Sequence, residues 1–116
     1  MKRSIARKWA KMLDSGDLKQ SKGVLRNKSG FCCLGGLCNL HATEHPEIAI
    51  KQKRKYVYLD ADVYLPNLVQ EWSGMKTPAG VFNIDGMNSS LADLNDLEEW
   101  TFPQIAKFIR KNWKEL

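Results

Sequence analysis

Three cysteines and one of the two histidines fall within Phe31-Cys32-Cys33-Leu34-Gly35-Gly36-Leu37-Cys38-Asn39-Leu40-His41, and His45 follows four positions later. Side chains of these types can hold a metal ion, or pair a thiolate with a general base. A zinc site usually takes two pairs of ligands, each pair two to four residues apart. Cys33, Cys38, His41 and His45 would have to close such a site within one short segment, in competition with the helix that presents them. No second Cys or His cluster completes it from elsewhere, so neither a metal nor another cofactor is expected. Cys38 and His41, three residues apart, share a helical face, but a reactive thiolate needs an electropositive and partly exposed setting. No Asn or Asp is identifiable as the third, orienting member of a catalytic set. His41-Ala42-Thr43 matches half of a paired His-x-Thr phosphoesterase arrangement, and the other half is missing because His45 is followed by Pro46-Glu47. Asp60 with Asp62, and Glu98 with Glu99, read as solvated loop and helix residues. The expectation is a protein that is not an enzyme.

The stronger chemical signal is for an anionic ligand. Residues 1–60 hold thirteen Lys or Arg against five acids, a balance of +8, whereas residues 61–116 hold five against eight, a balance of −3. Such polarity suits a phosphate-bearing partner. Arg26 and Lys28 flank a turn, and the run Lys51-Gln-Lys53-Arg54-Lys55 leads into Tyr56-Val57-Tyr58-Leu59. Basic side chains interleaved with aromatic ones can meet phosphates and stack on bases. Arg26, Lys28, Lys53, Arg54, Tyr56, Tyr58 and Phe82 are therefore the expected ligand-binding residues. The competing reading puts the tyrosines against the sheet and leaves the lysines in water. No helix-turn-helix, RNA-recognition or zinc-finger spacing is present.

These residues need a scaffold, and 116 residues make one domain, 1–116. Ile5, Trp9, Met12 and Leu13 lie on one face of a helix over 3–14 that Ser15-Gly16 stops. Gly23–Arg26 and Phe31–Cys33 read as strands around the turn Asn27-Lys28-Ser29-Gly30. Leu34, Leu37, Cys38 and His41 recur at helical spacing, so a central helix is expected from about Leu34 and should end before Pro46. Tyr56–Leu59 alternates like a strand, Leu65–Trp72 reads as a short helix, and Val81–Ile84 as a last strand. Ser89 or Ser90 caps a helix carrying Leu91, Leu94 and Leu97. Thr101 and Gln104 form a capping box that opens a C-terminal helix with Ile105, Ala106 and Ile109 on one face. The fold class is α+β: a small, mainly antiparallel sheet with N-terminal, central and C-terminal helices. Cys33, Leu37, Cys38 and Leu40 are expected to form the buried helix on which both terminal helices pack.

No apolar run is long enough to span a bilayer, and no signal-peptide core follows the basic start. An odd cysteine count with two adjacent residues does not fit a disulfide framework and points to reduced thiols.

Several stretches together resemble a family of small uncharacterised proteins encoded by tailed bacteriophages. Phe31 to Leu40 is similar to its FCCLGVLCDL signature, Trp9 to Gln20 to its opening, Leu65-Pro66 to Trp72-Ser73-Gly74 to LP..V..W.G, Leu91 to Asp96 to LA.LND, and Thr101 to Ile109 to TF..IA..I. Gly36 stands where that signature has Val, Asn39 where it has Asp, and Leu97-Glu98-Glu99-Trp100 replaces a short turn. The resemblance implies a phage accessory protein acting in the host bacterial cytoplasm. Such proteins commonly act by stoichiometric binding, so the expected function is to counter host defence by sequestering a nucleotide-type, possibly cyclic, signal. The alternatives are a protein-binding inhibitor of a host enzyme and a non-specific nucleic-acid binder, with self-association left open.

Overall fold

The computed structural model describes residues 1–116 and contains helices α1 (Arg3–Asp14), α2 (Cys33–Glu44), α3 (Pro46–Ala49), α4 (Asn67–Ser73), α5 (Leu91–Asp96) and α6 (Phe102–Asn112), with a 3-10 turn at Trp113–Glu115. Strands β1 (Arg26–Asn27) and β2 (Gly30–Phe31) form one antiparallel hairpin, and β3 (Val81–Ile84) and β4 (Met87–Ser90) another. The α+β class holds. The strands do not merge into one sheet, however, and the two ribbons sit separately on a mainly helical body. The reason lies in residues 56–61. Leu59 and Asp60 both adopt left-handed backbone conformations, and Tyr58 and Ala61 exchange backbone hydrogen bonds across them at 2.8 and 2.9 Å. The alternating Tyr56–Leu59 segment is thus spent on a tight turn, and the expected strand does not form.

Helix α2 is the centre. Cys33 through Cys38, Leu40 and His41 are all buried, and only Asn39, Ala42 and the last turn at Thr43-Glu44 reach the surface. Helix α1 packs on it through Ile5, Trp9 and Leu13, and the Trp9 indole donates to the carbonyl of Cys33 at 2.9 Å. Helix α6 does not pack chiefly on α2 as expected; it lies along α1, and buries Phe102, Ile105, Ala106 and Ile109. Its start is the expected capping box, in which Thr101 Oγ1 accepts from the Gln104 amide and the Gln104 side chain accepts from the Thr101 amide. Ser90 caps α5 by accepting the amide of Asp93. Pro46, which ends α2, opens α3 at its first turn, where a proline loses no helical hydrogen bond.

The two central glycines have distinct jobs. A Cβ at Gly35 would run into the backbone carbonyl of Leu25, so α2 and the chain entering β1 touch backbone to backbone. A Cβ at Gly36 would press on the end of the Leu13 side chain, at 3.1 Å, and make ordinary contacts with Trp9 and Leu18 at 3.6 and 3.7 Å. Gly35 is required by the packing, and Gly36 is permitted by it.

Candidate functional site

Most of the cysteine-rich segment is absorbed by structure. Cys32 is the N-cap of α2, its sulfur accepting from the Gly35 amide at 3.4 Å, and Cys33 donates its thiol to the carbonyl of Leu91 at 3.5 Å. A helix N-terminus lowers a thiol pKa, but burial removes the water that would stabilise the thiolate, and here burial wins. The Cys32 thiol is pushed up to about 11, and those of Cys33 and Cys38 well above their ordinary value. All three are buried free cysteines held as neutral thiols. Nowhere do three or more His, Cys, Asp or Glu side chains gather in a metal-binding group.

The histidines form an aromatic cluster. His41, buried, bonds through Nδ1 to the Tyr58 hydroxyl at 2.6 Å, stacks on His45 at 4.3 Å between centroids, and meets the edge of Trp72 at 4.9 Å. His45 Nδ1 lies 3.0 Å from the carbonyl of His41. Burial, followed by the neighbouring His45, lowers the pKa of His41 against the opposing pull of Glu47 and Glu44. Burial likewise raises the Tyr58 phenol to about 12. This cluster pins the turn at residues 58–61 onto α2.

Between that turn, α2 and the first hairpin lies a cavity of about 190 Å³. Gly35, Cys38, Asn39 and Ala42 of α2 make its floor, Leu25, Arg26 and Phe31 one wall, and Gln52 with residues 55–58 the other. The Arg26 guanidinium sits 4.8 Å above the Phe31 ring, and the Lys55 ammonium 5.6 Å from the Tyr56 ring. Gln52 shapes the second wall: its amide donates to the carbonyls of Arg54 and Val57, and its oxygen accepts from Leu59. Asn39 is held only by a weak 3.9 Å contact to the sulfur of Met12, so its amide is free to meet a guest. A groove bearing Lys19 and Lys28 shares Arg26, Phe31, Lys55 and Tyr56 with the cavity. Asp17 is the one acid in its lining.

The structure thus brings together Arg26, Tyr56 and Tyr58 at the cavity and Lys28 in the adjoining groove. Lys53 and Arg54 are exposed and line neither. Phe82 is a correction: it points inward from β3, is 3% exposed, and packs on Phe108 of α6 at 4.7 Å. Its neighbours Val81 and Asn83 take the exposed face of the strand, so period-2 alternation sends Phe82 to the core. Asn39, Gln52, Lys55 and Phe31 also line the cavity and are not among the residues expected from the sequence. The charge run pointed to Lys55, and the free amide of Asn39 follows from its place on the one open side of α2.

A second polar centre is structural. The buried Asn95 accepts from Gln20 at 2.9 Å and from the amide of Cys33 at 3.2 Å, and donates to the carbonyl of Ser21 at 2.8 Å. Gln20 in turn donates to the carbonyl of Trp100 and accepts from the amide of Phe102. The Gln20, Phe31–Leu40 and Leu91–Asp96 stretches therefore meet at one buried network.

These features define a small α+β domain with a helical core, a buried polar network and a basic-rimmed cavity beside the first hairpin. Residues 1–113 match the model of a family described as a domain of unknown function, DUF8296, and the chain belongs to that family. No curated protein and no solved structure matches it. No helix is long and apolar enough to cross a membrane.

Proposed function

We propose that this domain binds a nucleotide-type ligand stoichiometrically, with the base in the cavity beneath Tyr56 and the phosphate on its rim. The observation that carries the reading is the pairing of a ring-sized apolar cavity with cations at its mouth. A cavity of roughly 150 Å³ accommodates a benzene ring, so about 190 Å³ suits a single flat ring system better than a complete nucleotide. The sugar and phosphate would then lie outside, in the groove where Arg26, Lys55, Lys19 and Lys28 converge. Arg26 supplies a planar fork for phosphate oxygens, and Asn39 a donor and an acceptor for the ring edge.

The same geometry favours sequestration over turnover. The site has no thiolate, and His41 is committed to Tyr58 beneath the surface. With the resemblance to phage accessory proteins, this supports capture of a nucleotide signal of host defence in the bacterial cytoplasm. Thermal-shift measurements against linear and cyclic mono- and dinucleotides test the reading. A ligand at about 100 times its dissociation constant stabilises the folded state by roughly 2.7 kcal/mol. Absence of any upward shift across the panel at saturating concentration would sink the proposal.

A further inference from the structure

The opposite feature of the surface carries an independent inference. Helices α1 and α6, packed side by side, present a face rich in cations, with Asp85 of the second hairpin the acid that lines the groove beside Lys107 and Lys111. On α1 the exposed residues include Arg3, Arg7 and Lys11, and the sole acid of the helix is Asp14. On α6 Lys107, Arg110, Lys111 and Lys114 follow at spacings of three, one and three, which puts them on one side of the helix and its continuation. There is no acid in α6, and Glu115 is the one acid in the 3-10 turn that follows it. Asp14 is taken by Arg110, which leaves the other cations of this face without it. Between the helices Arg3, Arg7, Arg110 and Trp113 line a cleft of about 280 Å³.

Three kinds of polyanion could meet such a face, and the apolar residues decide among them. The large exposed hydrophobic side chains are Ile50, Tyr56, Val63, Tyr64, Leu68, Val81, Met87 and Leu97, and none lies on α1 or α6. The larger apolar residues of these helices, Ile5, Trp9 and Leu13 with Phe102, Ile105 and Ile109, are turned into the core, and Met12, Phe108 and, in the cleft, Trp113 are half-buried, so none stands out as an exposed anchor. An acidic protein partner would need a desolvated apolar or aromatic anchor at the centre of its contact. An interfacial helix would need an apolar face to insert into lipid. A nucleic-acid backbone needs neither, since phosphate contacts are charge-driven and solvated.

We infer that the α1–α6 face binds the phosphate backbone of duplex nucleic acid without reading its sequence. The arginine cleft straddles a phosphate, and the lysines of α6 extend the contact along the strand. This surface shares no residue with the cavity of the first hairpin, so either activity can be lost without the other.

Fluorescence anisotropy of a short labelled DNA duplex of mixed sequence, titrated with the full chain, tests it. Arg3, Arg7, Lys107, Lys111 and Lys114 meeting about five phosphates give a slope of log affinity against log salt of roughly −4 to −5. The double variant Lys107→Ala/Lys111→Ala, at exposed positions, is expected to reduce that slope by about 2 while leaving the melting temperature unchanged. Lys53→Ala/Arg54→Ala, on the exposed loop before Tyr56, should leave it unaltered. No binding at about 50 mM salt, a flat salt response, or equal weakening by both double variants would overturn the inference. So would retention on phosphatidylserine vesicles without retention on the duplex.

Discussion

The side-chain oxygen of Asn95 lies 3.2 Å from the backbone nitrogen of Cys33 and accepts its hydrogen bond across 62 positions of chain. Cys33 is the first residue of α2, and its amide is one of the four that a helix cannot satisfy by itself. Helix α5 thus helps cap the central helix from a distance, while Cys32 caps it locally. The same amide of Asn95 holds Gln20 and Ser21, so one buried side chain joins three segments.

Removing that side chain leaves buried donors without partners, each at a cost of roughly 1–3 kcal/mol. Asn95→Ala is therefore expected to lower the unfolding free energy by about 3 kcal/mol or more, read as a lower urea midpoint. Asn95→Asp should be no milder at neutral pH. Its second oxygen would face the Ser21 carbonyl and the Asp96 carboxylate, which the Asn95 amide now donates to.

The central glycines give a contrasting pair. Gly35→Ala forces a methyl into the Leu25 carbonyl and is expected to cost at least about 3 kcal/mol, or to prevent folding. Gly36→Ala presses only on Leu13, and a helical alanine recovers about 1 kcal/mol relative to glycine. Its stability should stay within about 1 kcal/mol of the parent. Equal damage from the two would contradict the assigned packing.

Stability should fall on acidification through His41. Its folded pKa lies below the unfolded value of about 6.5, so the unfolded chain takes up a proton first. The neutral imidazole's contribution is complete above pH about 6.5 and is lost as pH falls towards the depressed folded value. His41 is faced by His45, Tyr58 and Trp72, with Glu44 and Glu47 nearby. Urea midpoints from pH 8 to 5 should show this decline, and His41→Gln should flatten it. An unchanged slope in the variant would assign the decline to other groups.

The thiols should be silent in the native state. Buried and with raised pKa values, Cys32, Cys33 and Cys38 are expected to react with Ellman's reagent only as the chain unfolds. Rapid labelling of Cys32 or Cys33 in native buffer, neither of which lines the cavity, would show that the segment opens.

Much of the scaffold was legible because local signals agreed. The apolar period of Ile5, Trp9 and Leu13, the capping box at Thr101 and the stop at Pro46 each act within one turn of chain, so α1, α2 and α6 fall where their residues predict. Long-range effects hid the rest. Tyr56–Leu59 alternates like a strand, yet Tyr58 is bound to His41 and Gln52 ties down the loop before it, which makes the segment a turn. Phe82 looked available for stacking because alternation does not say which face of β3 meets α6. Asn95 and Gln20 carry no local signal, since all their partners but Asp96 lie 62 to 82 positions away. Arg26 and Tyr56 line one cavity, and the places of Asn39 and Gln52 in its lining depend on the path of the loop over α2.

The most direct measurement of the central claim is an amide correlation spectrum of the labelled protein titrated with a mononucleotide selected by thermal shift. Binding in the cavity predicts saturable shifts at Gly35, Asn39, Ala42 and residues 52–58, with the Asn39 side-chain amide among the most affected. Arg26→Ala should weaken that titration by roughly tenfold to a hundredfold, as expected for one charge-assisted phosphate contact worth about 1.5–3 kcal/mol. Shifts confined to α1 and α6, or none at millimolar ligand, would contradict it.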